Sequence, residues 1–123
     1  LLSEFHRILR PKGVVYLTTP NLVSASNRML MIKGTSFMNP VEHLRWNLKP
    51  ATGMSVGLHW REWTKEELVE LFSESGFALK HHNYMLLSPN QSGFPRKQLV
   101  SAMYSLLPSL MPGQVAVFTK SSS

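Results

Sequence analysis

The residues with the chemistry to line a substrate pocket fall in two places. Pro20 and Asn21 stand where an apolar run stops at Thr18-Thr19-Pro20-Asn21, and His59 and Arg61 belong to His59-Trp60-Arg61-Glu62-Trp63-Thr64. An imidazole titrates near neutrality, so His59 suits general-base work on a hydroxyl. The Arg61 guanidinium suits a carboxylate or phosphate, which it meets through paired N–H donors. The Asn21 amide suits orienting a substrate or a water. Each residue also has a plainer use: Asn21 caps the helix after it, His59 bonds a loop carbonyl, and Arg61 lies over Trp63. For catalysis the plainer uses of His59 and Arg61 are preferred, with both still lining the pocket. The two uses of Asn21 are compatible.

Other polar residues promise less. Glu42 and His43 belong to a lid or, more simply, to a solvated loop. His81 and His82 are neighbours in an apolar-rich run, so in a strand they point to opposite faces and do not share one metal. No Gly-x-Gly-x-x-Gly phosphate loop occurs among the seven glycines. With no cysteine, disulfides and thiolate metal sites are excluded.

The elements that must position these residues follow from periodicity. Leu1-Leu2, Phe5 and Ile8-Leu9 make a helical stripe that Pro11 ends. Val14 to Leu17 is a continuous apolar run, the habit of a strand covered on both faces. Leu22, Ala25, Met29 and Ile32 recur at helical spacing, with Asn21 as N-cap and Gly34 as the stop. Residues 35–58 read as an irregular connection or lid. Thr64 and Glu67 form a capping box, and Trp63 with Leu68 a hydrophobic staple, for a helix carrying Leu68, Leu71 and Phe72 on one face and closing at Gly76. Phe77 to Leu87 reads as a strand, and Leu99/Val100, Met103 and Leu106/Leu107 as an amphipathic helix stopped at Pro108. Gln114 to Thr119 reads as a final strand. Met29 and Met103 are taken as core filler, while Met38, Met54 and the region of Trp46 suit either an apolar acceptor site or the core.

The bulk numbers bound the class. A chain of 123 residues with 43% hydrophobic and 16% charged residues is one packed domain, not a disordered segment. The net charge of +6, from 13 basic and 7 acidic residues, is spread without a block of like charge, which argues against nucleic acid. No apolar run reaches membrane-span length, and a cytoplasmic setting is expected. The uncapped first helix and the non-Met start suggest the second half of a larger domain. The first two strands, separated by helical crossovers, are expected to be parallel.

The pieces, in this order, resemble the carboxyl-terminal half of a class I S-adenosylmethionine-dependent methyltransferase. Phe5-His6-Arg7-Ile8-Leu9-Arg10-Pro11-Lys12-Gly13 is similar to that family's entry into its fifth strand, with Lys12 where the first of two glycines is common. Thr19-Pro20-Asn21 with Asn27-Arg28 resembles the strand exit and helix of one branch. His59-Trp60-Arg61-Glu62-Trp63-Thr64 resembles the stretch before the last major helix, and Glu67-Leu68 through Ser75-Gly76-Phe77 resembles that helix and its exit. The resemblance covers nearly the whole chain.

It implies an α/β, Rossmann-like fragment over residues 1–123. Its three-stranded mixed sheet has two parallel strands, the antiparallel last strand inserted between them, and an insertion at 88–113. It further implies transfer of a methyl group from S-adenosylmethionine to a small-molecule or lipid-like acceptor, with O-methylation favoured. The cofactor's glycine-rich loop lies in the missing half, so no cofactor-binding residue is expected here, and the fragment alone is expected to be inactive. The rival from another class is a non-catalytic α/β interaction module pairing through an open sheet edge at Val14 to Leu17, with self-association as its mark. A third reading is a nucleotide-sugar or NAD-linked α/β enzyme.

Overall fold

In a computed structural model of the protein, residues 1–38, 41, 61–87 and 95–121 are described. The elements run α1 (Leu2–Ile8), β1 (Val14–Pro20), α2 (Ala25–Ile32), α3 (Lys65–Glu74), β2 (Phe77–Met85), α4 (Arg96–Leu106), a 3-10 turn (Pro108–Leu110) and β3 (Gly113–Lys120). His59, Glu42, His43, Trp46 and Met54 lie outside the described residues, as does most of the 35–58 connection.

The sheet order is β1-β3-β2, and β3 is antiparallel to both neighbours. The last strand therefore sits between the other two, as expected. The expected mixed sheet is corrected, because every ladder is antiparallel. β1 and β2 share a direction only through β3, and no parallel ladder joins them. Crossover connections fix a strand's direction but not its neighbour.

One face of the sheet carries the core. Leu68 and Phe72 of α3 pack with Phe77, Ala116 and Phe118, and Leu2, Phe5, Leu9, Val15, Leu17 and Trp63 pack against them. Phe72 stacks on Phe118 with ring centroids 3.9 Å apart. The other face is open at β1, where Val14, Tyr16 and Thr18 are exposed. The expectation that this strand is covered on both faces is thus corrected to one face among the described residues.

Local chemistry sets the element ends. Leu9 leaves α1 in extended geometry before Pro11. The turn then places Lys12 at φ 63°, the left-handed conformation that glycine adopts without cost. A Cβ on Gly13 would lie 2.8 Å from the Arg10 carbonyl oxygen, so the tight approach there requires glycine. At α3 the Thr64 hydroxyl accepts from the Glu67 amide while the Glu67 carboxylate accepts from the Thr64 amide, the expected box. For α2 the cap is Ser24, whose hydroxyl accepts from the Asn27 amide, and not Asn21. Met29 is 53% exposed rather than core filler. β2 carries a register shift between Leu79 and His81 and ends at Met85. Within the 88–113 segment α4 forms as expected, but none of its residues is buried.

Candidate functional site

The carboxyl end of β1 is where the candidate segments meet. Asn21 forms an isolated parallel bridge with Trp63, and the Leu22 amide donates to the Trp63 carbonyl at 3.1 Å. Pro20, Asn21 and Arg61 are thereby brought to one region from distant parts of the chain. His59 lies outside the described residues, so its placement beside them is not part of this geometry.

Asn21 is fully buried and fully engaged. Its side-chain amide donates to the carbonyls of Ser109 at 2.7 Å and Met111 at 2.8 Å, and its oxygen accepts from the Val23 amide at 3.3 Å. It pins the 3-10 turn to the strand exit. The Asn27 amide donates to the Leu22 carbonyl at 3.1 Å and to the Glu62 carboxylate at 2.5 Å.

Gln114, also fully buried, donates to the Trp63 carbonyl at 2.6 Å and has His82 Nε2 at 2.9 Å from its oxygen. His82 in turn meets Tyr84 edge-on at 4.7 Å. Burial, with a smaller contribution from Glu66, pushes the Tyr84 phenol above its ordinary pKa. In the sequence Asn21 stood out as a site candidate, Asn27 and Glu62 only as members of quoted motifs, and Gln114 only as the start of a strand. The signal for Gln114 was its period-two position on the face of Ala116 and Phe118.

Arg61 takes the plainer of its expected uses. Its guanidinium lies 4.5 Å over the Trp63 ring and pairs with Glu67 at 2.5 Å. The Thr64 backbone amide first, and Arg61 second, hold the Glu67 carboxyl below the usual carboxylate range. His81 and His82 lie on opposite faces: His81 is paired with Val117 and bonded to Asn83, whereas His82 is paired with Ala116. Among the described residues no group of three His, Asp or Glu side chains is arranged to hold a metal ion.

Beside this polar end runs an apolar groove of about 460 Å³ along β1, lined among others by Phe5, Val15, Leu17, Trp63, Leu71 and Phe72. Several of these residues belong to the core layer, so the groove is a continuation of the core toward the β1 edge. Among the described residues β1 is an edge strand. Its odd-numbered residues bond β3, because Asn21 donates to the Pro112 carbonyl and Lys120 to that of Gly13. The backbone groups of Val14, Tyr16 and Thr18 therefore face outward, while the Pro20 carbonyl accepts from Gln114 Nε2 at 3.4 Å. No helix among the described residues is long and apolar enough to cross a membrane. No known family profile matches the chain, and no curated protein matches it significantly.

Proposed function

We propose that the chain is the carboxyl-terminal half of a Rossmann-like, class I S-adenosylmethionine-dependent methyltransferase domain. Its acceptor in this reading is a small or lipid-like molecule, with O-methylation favoured. The observation that carries the reading is the place of β3, antiparallel between two strands that share a direction. The resemblance implies that central place for the last strand, though in a mixed sheet and not the antiparallel one observed. The open edge of β1 and the apolar groove beside it add support. A trench continuous with the core, on the helix-covered side of an edge strand, suits the side chains of a neighbouring strand better than a polar ligand.

The residues present do not fit the cofactor itself. The loop after β1 is Asn21-Leu22-Val23-Ser24, without glycine, and the buried amides of Asn21 and Gln114 are bonded to protein. The part these residues play is to fix the strand exit. Asn21, Asn27 and Gln114 hold β1, the approach to α3 and the 3-10 turn together. Pro20 and the Arg61–Trp63 pair form the rim on which an acceptor would be placed.

Calorimetric titration tests this. The 123 residues alone should show no S-adenosylmethionine binding. The same residues joined to an encoded upstream half bearing a glycine-rich loop should bind it and transfer labelled methyl to an acceptor. Binding by the 123 residues alone, or no such loop in the encoded protein, would overturn the proposal.

The second reading, an interaction module, is favoured by the same open edge. It predicts partner binding through β1 without methyl transfer.

A further inference from the structure

The acidic residues are confined to Glu4, Glu42 and the stretch Glu62 to Glu74. Residues 5–41 and 75–123 hold none, and α2 and α4 lie in these segments. Both helices turn aliphatic side chains outward. Ile32 of α2 is 80% exposed and Leu106 of α4 is 81% exposed. On α2, Asn27 is the buried position, and the opposite arc holds Met29 and Ile32 between Arg28 and Lys33. On α4, Leu99 and Leu106 share a face two turns apart, with Arg96 and Lys97 at the helix start.

The start of α2 and the end of α4 are tied to one place, the exit of β1. α2 follows the carboxyl end of β1, and Asn21 there holds the carbonyls of Ser109 and Met111, which directly follow α4. The ion pairs among the described residues, Arg7–Glu4 and Arg61–Glu67, involve neither helix.

We propose that α2 and α4 form a face that settles on an anionic lipid surface. Met29, Ile32, Leu99 and Leu106 enter the boundary between headgroups and acyl chains, and the cations beside them meet lipid phosphates. Charge complementarity selects this occupant. A second copy would bring together two pairs of helices that themselves carry cations and no carboxylate. Single strands are usually gripped with stacking aromatics, and a duplex through polar and cationic contacts to phosphates, and neither uses the outward aliphatic side chains found here. The inference does not depend on which reaction the protein performs.

Vesicle flotation of the protein tests it. The protein should float with phosphatidylglycerol-containing vesicles, less so in high salt, and not with phosphatidylcholine alone. The double variant I32S/L106S should bind about tenfold more weakly. K33A and K97A should each cost about fivefold. All four positions are exposed, so circular dichroism should be unchanged. Undiminished flotation of I32S/L106S, or equal flotation with both vesicle types, would overturn the proposal. So would duplex DNA binding, unaffected by I32S/L106S, in the absence of vesicle binding.

Discussion

A single amide holds the exit of β1. Asn21 bonds two carbonyls that lie 88 and 90 residues away in the chain, those of Ser109 and Met111. Replacing it leaves half-buried acceptors unpaired, so Asn21→Ala should cost about 1–3 kcal/mol in urea denaturation. Asn21→Asp should cost more, because a carboxylate would face those carbonyls without a donor. The importance of Asn21 was legible in the sequence, but its partners were not. An amide after a strand has the same local pattern whether it caps a helix or grips a distant turn. Arg61 was legible to the level of its ring contact, because Trp63 lies only two residues on. Gln114 escaped notice because its partners, Trp63 and His82, come from two other elements.

Among the elements, α3 was the most legible because its signals are local. The Thr64–Glu67 box lies within one turn, and its loss in Thr64→Ala should cost about 1 kcal/mol, read from the urea midpoint. The same box predicts an acid response. The Glu67 carboxyl is held below its ordinary value of 4.5 in the folded chain. Its contribution is therefore complete above that value and is lost as pH falls through the folded pKa. Glu67→Gln should lower stability at neutral pH and flatten the fall below about pH 4.5, measured by denaturation across pH. For α4, periodicity gave the helix but not its surroundings. A stripe of Leu99, Met103 and Leu106 reads alike whether another element or solvent lies over it. β1 misled in the same way, since an apolar run does not say how many faces are covered.

At the scale of the whole molecule, directions were easier to read than neighbours. Helical crossovers gave β1 and β2 a common direction, yet β3 separates them and every ladder is antiparallel. The inserted position of β3 came from the family resemblance, since the hydrophobic pattern alone does not encode strand order. The edge that β1 leaves free among the described residues predicts concentration-dependent self-association of the chain in sedimentation velocity. Tyr16→Lys, which places a charge at an exposed position of that edge strand, should suppress it. A chain that stays monomeric at high concentration would remove this expectation.

The ring of Pro20 sits on the outward side of β1, at a point where a joining strand would need an amide hydrogen. Any newcomer can zip onto Val14, Tyr16 and Thr18 but must peel away before reaching Asn21. Beyond it the Trp63 backbone already lies alongside, bridged to Asn21, so one imino acid and one stretch of the chain's own backbone close that end of the edge to whatever arrives alongside.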